Sequence, residues 1–408
     1  VININLKLIF YMNRSISQKK IEFKKFCSYF FLFLPVSFIL GNAAVNILIV
    51  IINIFFLYFI FFDNIKLSKF FWIGFFVIFV CSVKDIIFLN SYNFKTLSLI
   101  RFLLFIEAFL FFIDSNTLRK LKYVSFASVS IIVIDLNYQY LNFNNIFGLT
   151  SESMFRVSSF FGSEWIAGSY LYKISLILIP TYFLKQNKAL LILIIFCISE
   201  AIFITGERTS FFIYIYIFIF FIIVTKKKIK DYLIYPISLL IIFSSIFFLQ
   251  KQNEIRLERY SPKNLSKYLN FEVGTQTRLM TYGLIIGKEN LILGIGTKNF
   301  KEACDKKYLV DDYFKKCENH PHNHLIEIFL SHGIFIFTII VIFLLKNYIY
   351  YFKNLKKFRI EDHISQIVFS TYFFPPFFSG SIYSTWTAAF ISLNIALILR
   401  THRNIYTN

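Results

Sequence analysis

Residues 28–62 read SYFFLFLPVSFILGNAAVNILIVIINIFFLYFIFF, without one charged side chain. At about 1.5 Å per residue, a single helix of that length would reach roughly 50 Å, against a bilayer core of about 30 Å. The LGNAA at 40–44 offers a turn, so the stretch is expected to cross a membrane twice.

Working outward, the pattern returns in FFIYIYIFIFFIIV (211–224) and IFIFTIIVIFLL (334–345). Hydrophobic residues fill 57% of the 408 positions. Ordinary globular domains hold about 45–50%, and here the surplus is gathered into such runs. Further spans are expected near 70–89, 97–113, 122–138, 166–184, 188–206, 209–225, 232–250, 323–346, 364–380 and 384–400. The fold class is therefore all-α, a polytopic integral membrane protein with about twelve transmembrane helices. The first apolar run lies behind Lys19, Lys20, Lys24 and Lys25 and lacks a small-residue cleavage site, so it is expected to remain a span.

The short loops orient the chain. DNIKLSK, NTLRKLK, LKQNK, TKKKIKD and KNYIYYFKNLKKFR each carry at least two cations, whereas GNAA, NSYNFK, TGERTS and SGSIYS carry at most one. Cations favour the cytoplasmic side. The expected organisation is a cytoplasmic tail (1–27), nine spans (28–250), a large periplasmic loop (251–322), three spans (323–400) and a cytoplasmic tail (401–408). The formal charge of +20 does not point to nucleic acid, because the basic residues sit between apolar runs rather than on one patch.

Lys84, Asp85, Arg101, Asp135, Lys173 and Glu200 fall in the outer halves of spans, with Glu107 deeper. Charge at membrane depth usually lines a water-filled cavity, although a residue near a helix end can also snorkel. All six lying on one side predicts a polar vestibule opening outward. Cys304 and Cys317 are the only cysteines placed outside, where thiols oxidise, and are expected to form a disulfide.

Three external stretches carry candidate chemistry: MFRVSSFFGSEWIAGSYL (154–171), TGERTS (205–210) and TQTRLMTYGLIIGKENLILGIGTKNF (275–300) with the histidines beyond it. Arg208 lies on the side that disfavours cations, beside Glu207, and an exposed Glu–Arg turn would read the same. Arg278 opens an expected helix at 276–287, where a guanidinium beside free N–H groups suits a phosphate, or is simply a solvated helix residue.

Of six histidines, four (His320, His322, His324, His332) crowd ENHPHNHLIEIFLSHG (318–333) at the foot of one apolar run. Pro321 suits the first turn of the following helix and puts His322 at the water–membrane boundary. His322 then reads as a general base, as an interfacial histidine, or with Glu327 as part of a metal site. No histidine pair sits at i, i+4 on the helix as a zinc site there would require.

Together these motifs resemble the O-antigen ligase and O-antigen polymerase superfamily of envelope glycan assembly. The ligase signature is His-Asn, nine residues, then Gly-x-x-Gly. Here His322-Asn323 is followed by nine residues and Gly333, with Phe or Ile where the second glycine is expected. HPHN, NLILGIGTKNF, GERTS and FGSEWIAGSYL look like family patterns too, in the same order.

The resemblance implies a metal-independent inverting glycosyltransferase in the bacterial inner membrane, without a cofactor and with its active site facing the periplasm. The donor would be a glycan on undecaprenyl diphosphate, and the acceptor lipid A core or another glycan. His322 is the expected base, and Arg208 and Arg278 are expected to hold the diphosphate. Arg156, Glu164, Glu207, Asn323 and Arg101 are expected to bind substrate, with membrane lipids as surroundings. A polymerase joining lipid-linked repeat units is the alternative, and a polysaccharide transporter stands further off, since no internal repeat with broken helices is visible.

Overall fold

The computed structural model describes residues 18–89, 94–150, 156–178, 188–225, 275–308, 317–358, 360–374 and 378–407. In chain order the helices are α1 (Leu34–Leu40), α2 (Asn42–Asp63), α3 (Lys69–Leu89), α4 (Ile100–Phe112), α5 (Ser115–Asn142) and α6 (Ala167–Leu178). They continue as α7 (Lys188–Ile204), α8 (Arg208–Thr225), α9 (Thr275–Glu289), α10 (Phe300–Tyr308), α11 (His324–Lys353), α12 (Ile360–Tyr372) and α13 (Thr385–Thr407). Among the described residues the only β-pairing is an isolated bridge between Asn144 and Thr150.

Among the described residues, five stretches are long and apolar enough to cross a membrane: Gln18–Leu40, Asn42–Asp63, Lys69–Phe88, Ser115–Asn142 and His324–Lys353. The other described helices are shorter or less apolar. The span expected at 232–250 lies outside the described residues. Within 28–62 the break falls at Gly41, between α1 and α2.

Large apolar side chains point outward, among them Phe61 at 75%, Phe76 at 65% and Phe335 at 65% exposure. A water-facing surface of that kind would aggregate, so these faces belong against lipid. Inside, α4 packs on α2 and α13, α12 on α13 and α8, and α6 on α5 and α7. Phe38 stacks on Phe390 with ring centroids 3.7 Å apart, and the Trp386 indole donates to the Phe38 carbonyl at 3.0 Å. Those contacts bring the first and last helices together.

A smaller core joins α9 and α10 to α11: Leu279 and Ile286 of α9, Phe300 and Cys304 of α10, and Leu330 of α11. Helix α11 is broken at Gly333, whose φ of 76° a side chain would rarely tolerate. A Cβ there would also lie 2.1 Å from the Ile292 carbonyl oxygen. The break lets the turn at 291–296 hydrogen-bond to it. Ile295 N–H donates to Leu330 at 2.9 Å, Gly296 N–H to Ser331 at 2.9 Å, and Ile334 N–H to Leu291 at 2.8 Å. The Leu293 carbonyl, and the Ser331 carbonyl as a second bond, accept from Lys84 Nζ at 2.6 and 2.9 Å. Breaking a helix at membrane depth frees polar backbone groups that must be re-satisfied, and Lys84 does so.

The expected shared vestibule is not how most of the in-span charges are used. Lys84 pairs with Asp85 at 2.9 Å, and Glu200 accepts from Asn137 at 3.1 Å. Asp135 accepts from the Ile146 N–H at 2.8 Å and from the Ser159 hydroxyl, and Glu107 accepts from Ser68. Local partners satisfy these groups, so they have no need of an aqueous chamber. Only Lys173 of the seven lines the main cavity.

Candidate active site

The site is built on the turn between α7 and α8. Glu207 accepts the backbone N–H of Gly168 at 2.7 Å and of Ser169 at 3.1 Å, and the Ser210 hydroxyl at 2.7 Å. A carboxylate meeting free N–H groups in the first turn of α6 is favoured by hydrogen bonding and by the helix dipole. The clamp fixes Arg208, the next residue, at the start of α8.

A cavity of about 290 Å³ opens beside this clamp. Three cations line it: Arg156 from the segment before α6, Lys173 from α6 and Arg208 from α8. The Arg156 guanidinium lies 4.3 Å from the centre of the Trp165 ring. Lys173 is 5% exposed, its ammonium 4.5 Å from the Trp386 ring centre. Such ring faces attract a cation and orient it without neutralising it.

The lining also includes His320, His322 and His324, with Gln276 and Ser379. The four clustered histidines turn out to occupy different environments. His322 has φ 57°, its carbonyl accepts the Ser379 N–H at 2.8 Å, and its Nε2 lies 2.5 Å from the Glu318 carboxylate. The His320 ring sits 4.2 Å from that of His322, and burial pushes its imidazole down to about 4, so it is neutral. His324 is buried, with Nδ1 2.8 Å from the Tyr372 carbonyl oxygen. His332 is buried away from the cavity, edge-on to the Tyr383 ring. Glu327 is occupied by the Ser381 hydroxyl at 2.6 Å and the Ile382 N–H at 2.8 Å. Among the described residues no group of three or more His, Cys, Asp or Glu is arranged to hold a metal ion.

The structure therefore gathers Arg156, Glu207, Arg208 and His322 around one cavity. Arg278 is half-buried on α9, two residues beyond the lining residue Gln276 and not itself part of the lining. Asn323 caps α11, its side-chain oxygen accepting from Leu325 and Ile326 N–H at 3.1 and 3.2 Å. Glu164 is exposed outside the cavity, and Arg101 donates to Thr385 at 3.2 Å and is not part of the lining. Cys304 and Cys317 are joined by a disulfide, Cα–Cα 6.0 Å, one residue before Glu318. Sequence reasoning passed over Glu318 and Trp165. The first was legible as a carboxylate four residues before His322, the second as an aromatic in the same motif as Arg156.

Among the described residues, apolar helices long enough to cross a membrane and a cavity lined by arginine, lysine and histidine point to a membrane protein with a polar site. Residues 191–341 match the model of the family described as O-antigen ligase, a stretch that includes Glu207, Arg208, Arg278 and the histidine cluster. The match supports the chain's place in the O-antigen ligase superfamily of membrane enzymes. No curated protein matches the chain.

Proposed function

We propose that the chain transfers a glycan from undecaprenyl diphosphate to a sugar hydroxyl of lipid A core or a similar acceptor, at the periplasmic face of the bacterial inner membrane. The observation that carries this reading is that Arg156, Lys173, Arg208 and His322 line one cavity. A diphosphate leaving group calls for fixed cations where charge builds as the bond to the sugar breaks. Arginine forks bind phosphate oxygens in pairs, and Lys173 adds a point charge. Arg278, near the start of α9, is the further cation proposed to reach the diphosphate.

In the proposed step His322 takes the proton from the acceptor hydroxyl as its oxygen attacks the anomeric carbon from the side opposite the diphosphate. The carbon–oxygen bond to phosphate breaks, its electron pair leaves with undecaprenyl diphosphate, and the configuration inverts. No divalent cation has a role in this scheme.

The polymerase reading keeps the same chemistry with a second lipid-linked unit as acceptor. It is favoured by one feature, the apolar residue in place of the second signature glycine after Gly333. The lipopolysaccharide banding of a deletion strain separates the two. Core without O-chain, with lipid-linked polymer accumulating, is expected. Core bearing a single repeat would establish the polymerase, and unchanged banding would move the acceptor elsewhere.

A further inference from the structure

The proposed base has a partner that no motif names. Glu318 lies four residues before His322, 47% exposed at its side chain against 13% for the histidine, and the two meet at 2.5 Å through Nε2. An ionised carboxylate has only acceptor positions, so the nitrogen facing it must carry the hydrogen. The hydrogen bond to His322 holds the Glu318 carboxyl below its usual value, which keeps it ionised near neutrality.

We propose that Glu318 is the positioning residue for His322, holding its ring as the Nε2–H tautomer and leaving Nδ1 as the atom that takes the acceptor proton. The inference rests on the reading of His322 as base. The geometry around the pair agrees with it. The Ser379 N–H and the Asn323 cap fix the backbone at the root of the ring, while Glu318 fixes its tip. Glu318 is itself tethered, because Cys317 beside it is bonded to the fully buried Cys304 of α10. The other charged or titratable groups of the lining are His320 and His324, Arg156, Lys173, Tyr172, Tyr372 and the Glu207–Arg208 turn. The His322 ring has Glu318 as a hydrogen-bond partner. A misdirected tautomer presents a hydrogen where a lone pair is needed, which slows proton removal without changing how the donor is held.

The test combines a spectrum with a rate. Ring-15N-histidine protein in detergent reports the tautomer, with the His322 signals assigned by their loss in His322→Gln. Wild type is expected to show Nε2–H, and Glu318→Gln is expected to lose that preference. Transfer is measured in membranes, using the lipid-linked glycan that accumulates in a deletion strain as donor. Glu318→Gln should be about 10- to 100-fold slower at unchanged KM for that donor, the usual effect of losing an orienting partner. Glu318→Asp should recover part of the loss. Wild-type turnover and an unchanged tautomer in Glu318→Gln, with His322→Ala inactive, would remove Glu318 and leave the base. Full transfer by His322→Ala would remove the base and Glu318 with it.

Discussion

The Glu207 carboxylate meets the backbone N–H of Gly168 at 2.7 Å, joining two motifs that are far apart in sequence. The approach is possible because residue 168 has no side chain. A Cβ there would lie 2.9 Å from Thr205 Oγ1 and 3.2 Å from the Glu207 carboxyl carbon. The glutamate of the GERTS turn is thus a clamp, and the arginine beside it reaches the cavity because the clamp holds.

Gly168→Ala should therefore impair transfer through Arg208 without removing any charge. A loss of more than about tenfold is expected, since small misplacements of positioning groups are costly. Comparison of transfer rates at equal membrane levels checks this. Wild-type rates would mean that the turn is not what aligns the site.

Arg208→Lys keeps the charge and loses the fork. If the guanidinium pairs with diphosphate oxygens, the variant should insert normally yet transfer about tenfold slower or worse, a gap of roughly 1.4 kcal/mol or more. Donor titration in membranes reads the effect, and an unaffected Arg208→Lys would leave only a diffuse electrostatic role.

The Cys304–Cys317 bond closes a short loop, worth about 3 kcal/mol in the chain-entropy model. Reduction, or Cys304→Ser with Cys317→Ser, should lower the melting temperature and slow transfer, because Glu318 follows directly on Cys317. Non-reduced peptide mapping should recover the two cysteines linked. Recovery of both as free alkylated thiols would end this idea.

His320 gives a pH signature. Burial, reinforced by the neighbouring His322, pushes its imidazole down to about 4 from an unfolded value of 6.5. Between those values the unfolded chain binds more protons, so this contribution to stability is full above about 6.5 and is lost as the pH falls towards 4. Thermal unfolding in detergent should weaken over that window in wild type, and less so in His320→Gln. Parallel curves would show that His320 is not the titrating group.

The helices were legible because apolar runs punctuated by LGNAA and by basic loops admit few other readings, and α2 begins at Asn42, inside that turn. The disposition of charge was much less so. Lys84 and Asp85 looked like cavity residues, but the carbonyls that Lys84 satisfies lie at 293 and 331, far away in sequence. Likewise His320, His322, His324 and His332 read as one cluster, and only folding separates the ring paired with Glu318 from the one bonded to the Tyr372 carbonyl. Glu207 read as a substrate ligand because nothing local reveals that Gly168 and Ser169 meet it. Sequence reveals which residue types lie near each other along the chain, whereas partners come from packing.

The central claim is that His322 removes the acceptor proton. The most direct measurement is single-turnover transfer by His322→Ala in membranes of the deletion strain, with donor binding measured in parallel. The account predicts a fall of roughly 10²–10⁴-fold in turnover, the range for loss of a general base, at nearly unchanged donor affinity. Transfer at the wild-type rate would contradict it.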